Sequence, residues 1–188
     1  PLQPSATPVL ECHGLERRFG GLVAVTGVDV RIARGEIFGL VGPNGSGKTT
    51  LVNAIMGFYP PQKGRIVLEG VDITGMKPHV VARRHVARTF QNLALFNGMS
   101  VLDNILLGRH VHVAPGVLKT ALYWWLGQPQ EIRHRRVCEE IIEFLQLQGV
   151  RDEPVESLPI GLKKRVELAR ALVAEPNFLI LDEPMAGM

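Results

Sequence analysis

Residues 37–58 read IFGLVGPNGSGKTTLVNAIMGF. Ile37 to Val41 form a short apolar run that predicts a strand, and the segment from Lys48 to Phe58 predicts a helix ended by Gly57 and the Pro60-Pro61 breaker. Between them, Gly42 to Thr49 satisfy every position of Gly-x-x-x-x-Gly-Lys-[Ser/Thr]. A triphosphate is held mainly by backbone N–H groups. Gly42, Gly45 and Gly47, with Pro43, Asn44 and Ser46 between them, let the chain curl around such a group. Lys48 supplies positive charge for the β- and γ-phosphates, the Thr49 hydroxyl is suited to Mg²⁺, and Thr50 completes the loop at the positive end of the helix dipole. The stretch therefore predicts a nucleoside triphosphate site on an α/β core.

The rest of the composition allows this and excludes much else. The chain has 188 residues, 46% of them hydrophobic and 21% charged, so it can bury a core and is too apolar for disorder. A net charge of +3 is too small to argue for nucleic acid, and no nucleic-acid partner is expected. Cys12 and Cys138 stand far apart without a Cys-x-x-Cys pair, which gives no support to a disulfide framework or a zinc site and fits a reducing cytosol. Charged or polar residues interrupt every apolar stretch before the roughly 18 residues that suggest a spanning helix, so a membrane role would be peripheral. The chain opens without Met and stops at Met188, just after an acidic strand end, which reads as a C-terminally truncated piece.

From Val9 to Ile37 short β-like runs predict antiparallel sheet, with Val28, Val30 and Ile32 alternating against Asp29 and Arg31 and a turn at Gly20-Gly21. Arg65 to Leu68 predicts a further strand before a turn at Glu69-Gly70, and HVVARRHVAR a short helix passing into extended chain at ARTFQ. Beyond Asn92 the pattern is mainly helical. Ser100 and Asp103 form an N-terminal capping signature, and Val137, Ile141, Phe144 and Leu145 fall on one expected face. Leu162, Val166, Ala169 and Val173 share another before Pro176, and FLIL at 178–181 predicts a fully buried strand. The expected domains are a core with an antiparallel β subdomain over 8–91 and 162–188, and a helical subdomain over 92–161.

The strand FLIL ends in Asp182-Glu183, at the C-terminal end where open α/β sheets bind ligands. Alone, such a pair is as often a cap or a solvated turn. Beside a phosphate loop, Asp182 is suited to holding Mg²⁺ through water, and Glu183 to orienting or deprotonating the water that attacks the γ-phosphate. Gln91, in TFQN, stands between extended chain and the helical insertion, where an amide could touch both Mg²⁺ and that water; by itself it is more commonly an ordinary loop residue.

The segment SLPIGLKKRVELARAL, Ser157 to Leu172, completes an order of phosphate loop, glutamine, signature and acidic strand that spans about Val9 to Met188. In this order the chain resembles the ATP-binding cassette (ABC) ATPases. The resemblance implies ATP and Mg²⁺ as cofactors, ATP hydrolysis that powers solute movement, and a head-to-tail dimer with a second ATPase subunit. It also implies transmembrane permease subunits, indirectly an extracytoplasmic solute-binding protein, and a place on the cytoplasmic face of the membrane. By the same resemblance Phe19 falls where an aromatic stacks on adenine, and Gly161 matches the later glycine of the LSGGQ signature, opening a helix toward ATP held across the dimer.

The sequence departs from that signature at Pro159, which replaces the serine, and at Ile160 and Leu162, which replace a Gly and a Gln. Leu-Pro-x-Gly resembles the signature of the branched-chain amino acid import ATPases. FGGLVAV, ARTFQNLALFNGMSVLDNILLGRH, the insert with Tyr123, Trp124 and Trp125, and LDEPMAGM resemble that subfamily too. The aromatic trio reads as local core or, alternatively, as a surface for the permease. The basic runs Arg133 to Arg136 and Lys163 to Arg165 read as solvated helix faces. Alternatives are an exporter ATPase of the lipopolysaccharide-transport type, or an ABC ATPase of translation or repair. The stretch from Gln91 to Leu158 is far too short for the long coiled coil of the repair enzymes.

Overall fold

The structure, a computed structural model, describes residues 8–89, 94–109 and 128–182, with side chains from residue 135 onward in the last segment. These residues fall into two compact units divided between Arg84 and His85.

The N-terminal unit contains β1 (Pro8–Phe19), β2 (Leu22–Ala33), α1 (Lys48–Ile55), β3 (Lys63–Leu68), β4 (Val71–Asp72) and α2 (Pro78–Ala82). Its strands form one antiparallel sheet in the order β2-β1-β3-β4, with Gly20-Gly21 turning between the first two as expected. Leu10 stands between Ile32 and Leu68, and Cys12 between Val30 and Ile66. Leu10, Cys12, Ile66 and Leu68 are almost wholly buried. Burial of each aliphatic side chain among them contributes about 2 kcal/mol. Leu15 is also buried, although a strict two-residue period from Cys12 would turn it outward. A register shift between Cys12 and Leu15 supplies the missing step, and within it the Gly14 N–H donates to Asp29 Oδ1 at 2.7 Å. In β2 the alternation of Val28, Val30 and Ile32 holds, with only Ile32 fully buried. Helix α1 buries Leu51, Ala54 and Ile55, the stripe that 3.6-residue periodicity dictates.

One expected strand does not form. Among the described residues, 36–43 have no sheet pairing, and Ile37 and Val41 are almost completely exposed. An apolar run states what a segment gains from burial, but a strand exists only where a second backbone takes up its N–H and C=O groups. The four strands of this unit pair in an open row that does not include Ile37 to Val41.

The C-terminal unit contains β5 (Val86–Arg88), α3 (Val101–Leu107), α4 (Gln128–Phe144), single 3₁₀ turns at Gln148–Val150 and Val155–Ser157, α5 (Ile160–Leu172) and β6 (Phe178–Ile180). Val101 and Ile105 of α3, Cys138 and Ile142 of α4, and Val166, Ala169 and Val173 at α5 form one buried cluster with Leu147, Val155 and Leu158. The expected face of α5 is thus the buried one. That of α4 is displaced: Cys138 and Ile142 carry the burial, Ile141 and Leu145 flank it, and Phe144 is 74% exposed. Cys138 acts as a small apolar residue, which moves the stripe one position along. Of the basic runs, Arg135, Arg136 and Arg165 are exposed, whereas Lys163 and Lys164 are half-buried. The Lys163 ammonium donates to the Glu156 carbonyl at 2.9 Å.

Strands β5 and β6 pair in parallel, Val86 with Phe178 and Arg88 with Ile180. The chain between them is the helical part of this unit. Residues of β6 are half-buried, not fully buried as their apolar run suggests, because β5 is its only partner among the described residues.

Candidate functional site

The phosphate loop leads directly into α1, whose first helical residue is Lys48. No side chain caps this helix and no acidic residue lies in its first turn, so its N-terminal N–H groups and positive dipole end are left for an anion. Leu51 is the first residue of α1 to bond back into the loop, its N–H donating to the Gly47 carbonyl at 2.8 Å. Gly47 takes φ 90°, and a Cβ there would lie 2.3 Å from the Ala24 carbonyl oxygen of β2. The loop therefore packs onto the sheet at the one position where no side chain fits. Within the loop, Ser46 N–H donates to the Pro43 carbonyl at 3.2 Å. Pro43, Asn44, Gly45 and Ser46 are exposed.

The Lys48 ammonium donates to the carbonyls of Gly42 at 2.6 Å and Pro43 at 2.8 Å. This folds the cation over the loop's own backbone, with its side chain half-buried. Thr49 is exposed and Thr50 half-buried, both in the first turn of α1.

Phe19 ends β1 beside the hairpin turn and is 37% exposed. Its ring meets Tyr59 edge-on, with centroids 5.2 Å apart and planes at 81°, and the Arg17 guanidinium lies over its face at 4.7 Å. Gly161 lies in the first turn of α5, and a Cβ there would meet nothing within 4 Å. Pro159 is the N-cap of that helix and offers it no side-chain hydrogen bond; its carbonyl accepts from Lys163 N–H at 3.0 Å.

Asp182 follows β6. Its backbone N–H donates to Thr89 Oγ1 at 3.1 Å, and its Oδ2 accepts from Arg88 Nη2 at 2.7 Å. The Arg88 side chain is only 5% exposed and that of Asp182 24%. A pair this dry is costly to break from one side, since the remaining charge would be buried uncompensated. Gln91, Glu183 and the Tyr123, Trp124 and Trp125 trio lie outside the described residues.

Two contacts here were not foreseen. Arg88 ends the short strand β5, a signal in itself, but its partner is 94 positions away and only the β5–β6 pairing joins them. Arg17 and Tyr59 meet at Phe19 only because the chain after α1 returns to the end of β1.

A glycine loop that leads into an uncapped, anion-binding helix start defines a P-loop nucleotide-binding protein. The sequence profile of the ABC transporter family matches residues 25–186, and the chain belongs to that family. It is an ATP-binding, ATP-hydrolysing transporter subunit on an α/β core. It is 37% identical over 185 residues to the high-affinity branched-chain amino acid transport ATP-binding protein BraF of Pseudomonas aeruginosa, covering 96% of this chain and 71% of that one. It is equally similar, over 186 residues and with the same coverages, to LivG of Escherichia coli K12. Among solved structures, a nucleotide-free ATP-binding cassette from an ABC transporter superposes with a TM-score of 0.79 at 32% identity, covering 96% of this chain and 71% of that one. The ADP conformation of MJ1267, an ATP-binding cassette of an ABC transporter, gives 0.80 at 34% identity, covering 96% and 70%. These relatives do not favour the exporter, translation or repair alternatives. Among the described residues no helix is long and apolar enough to cross a membrane.

Proposed function

We propose that this subunit drives import of branched-chain amino acids through separate permease subunits, from the cytoplasmic face of the membrane and as a head-to-tail pair of ATPase subunits. An extracytoplasmic binding protein delivers the solute. The similarity to BraF and LivG supports the solute class, and the Leu-Pro-x-Gly signature agrees with it.

The observation that carries the site reading is the phosphate loop itself, where Gly47 tucks under β2 and leaves the start of α1 facing outward without a cap. The loop amides from Gly42 to Thr50 and the Lys48 ammonium hold the phosphates, Lys48 exchanging its carbonyl partners for phosphate oxygens. Phe19 stacks on the adenine. Gly161 opens α5 toward the nucleotide held by the partner subunit. Gln91 senses the γ-phosphate, and Glu183 takes the proton of the attacking water. The helical subdomain over 92–161 sits as an insertion in a core of 8–91 and 162–188, a division supported by the parallel pairing of β5 and β6 on either side of it.

Hard oxygen donors suit Mg²⁺, and the residues present fit it: the Thr49 hydroxyl is exposed, and Asp182 commits only Oδ2 to Arg88. No group of three or more His, Cys, Asp or Glu gathers among the described residues. Mg²⁺ bound by few protein oxygens together with phosphates does not need one. Thr49, Asp182 and the Gln91 amide would hold it. Mg²⁺ when bound neutralises charge on the phosphates.

The test is reconstitution in vesicles with branched-chain amino acid permease subunits. ATP-driven uptake of labelled leucine is expected. Lys48→Ala should abolish it by loss of nucleotide binding, and Glu183→Gln should cut hydrolysis about 10²-fold while ATP still binds. Uptake of leucine no faster than of an unrelated solute would sink the solute class, and unchanged turnover in Glu183→Gln would remove that residue's role.

A further inference from the structure

The end of β1 is fastened to the chain after α1 more firmly than a sheet edge needs. Gln62 N–H donates to the Glu16 carbonyl at 2.8 Å, Arg18 N–H donates to Gln62 Oε1 at 2.7 Å, and Arg17 Nη1 donates to the Pro60 carbonyl at 2.8 Å. Lys63 pairs with Glu16 at 3.0 Å. These bonds fix two aromatic rings and one cation together. The Arg17 guanidinium lies 4.7 Å from the Phe19 centroid and 5.9 Å from that of Tyr59, and its Nε has no hydrogen-bond partner among the described residues. Tyr59 packs against Phe19 with the two ring planes nearly perpendicular, and Arg17 covers one face of Phe19.

The same strands connect this cluster to the phosphate loop. Arg17 pairs across the sheet with Val25, and Val25 Cγ2 lies 3.2 Å from where a Cβ on Gly47 would stand. Phe19 is two residues further along β1, on the order of 7 Å at the usual strand rise. The cluster and the loop are thus neighbours on one sheet, within one unit.

We propose that Arg17 is a positioning residue for the nucleotide base: it holds the Phe19 ring as a one-sided platform, leaving the opposite face for a purine. A weakly hydrated guanidinium can lie flat on an aromatic face, and by occupying one side it decides which side a base can use. Tyr59 prevents the ring from swinging away. The inference rests on the reading that Phe19 lies beneath the base.

The experiment compares ATP with inorganic tripolyphosphate, which offers the phosphates without the base, by calorimetric titration of this chain. The variants are Arg17→Met, Arg17→Lys, Phe19→Ala and Lys48→Ala. Arg17→Met should bind ATP about fivefold more weakly with tripolyphosphate affinity unchanged. Arg17→Lys, which keeps a cation but not the planar group, should fall between Arg17→Met and the parent. Phe19→Ala should lose at least as much of the ATP preference, and Lys48→Ala should lose both ligands. A partly unfolded variant lowers both ligands together, so their ratio reports the base contact alone. An unchanged ratio in Arg17→Met overturns the role of Arg17. An unchanged ratio in Phe19→Ala overturns the platform itself, and a Lys48→Ala protein that still binds both would overturn the underlying reading of the phosphate loop.

Discussion

Gly45 fills a variable position of the loop motif and Gly47 a required one, and their surroundings differ accordingly. Both are left-handed, at φ 81° and 90°, yet a Cβ on Gly45 meets nothing within 4 Å whereas one on Gly47 runs into the Ala24 carbonyl at 2.3 Å. Gly45→Ala should therefore cost about 1–2 kcal/mol of backbone strain and keep ATP binding. Gly47→Ala should cost at least about 2 kcal/mol more and abolish binding, because backbone cannot yield to it. Urea unfolding and ATP titration of the two variants check this, and equal losses would show that the loop lifts off β2 freely. Arg88 makes a similar point. A basic residue in a strand announces itself in the sequence, but its function as the partner of Asp182 depends on a parallel pairing that no local pattern specifies.

Helix α3 shows how an element is held at its start. Ser100 Oγ accepts from Asp103 N–H at 3.1 Å and donates to its carboxylate at 2.7 Å, the capping arrangement expected from the spacing. The stronger tie is one the sequence did not advertise. Asn104 is wholly buried; its Oδ1 accepts from Phe96 N–H at 2.8 Å, and its Nδ2 donates to the carbonyls of Phe96 at 3.1 Å and Ser100 at 3.0 Å. A polar residue on a helix reads as exposed, and only the fold of the preceding loop over it reverses that. Ser100→Ala should cost about 1 kcal/mol. Asn104→Ala should cost about 2–4 kcal/mol, since it strands several backbone groups without partners. Denaturant unfolding of both decides it, and similar losses would mean water replaces the Asn104 amide.

At the scale of the whole molecule, each unit encloses one free thiol, Cys12 in the sheet and Cys138 in the helical cluster. Burial pushes Cys12 up to about 12, aided by the charge of Asp29. Burial likewise raises Cys138 to about 11, with Arg109 pulling the other way. Both folded values exceed that of an unfolded thiol, near 8.5. The unfolded chain therefore gives up these protons first, and the contribution of the thiols to stability, complete below about pH 8, falls as pH rises toward 11 and 12. Iodoacetamide at pH 8 should label neither thiol in the folded protein and both after denaturation, as mass spectrometry would reveal. Rapid native labelling of one alone would show that its unit opens independently of the other.

The phosphate loop, the antiparallel hairpin, the cap of α3, the buried face of α5 and the family are legible in the amino-acid order alone. All but the family are local, written in spacing of glycines, alternation or 3.6-residue periodicity over a few turns of chain, and the family is written in the order of motifs along the chain. The tertiary structure decided what depends on a second segment. It left Ile37 to Val41 without a strand partner among the described residues, shifted the buried stripe of α4 to Cys138 and Ile142, set Arg88 against Asp182, and gathered Arg17, Phe19 and Tyr59. Hydrogen bonds, ion pairs and ring contacts form between atoms brought together by folding, and the free energy that selects such partners is absent from either segment alone.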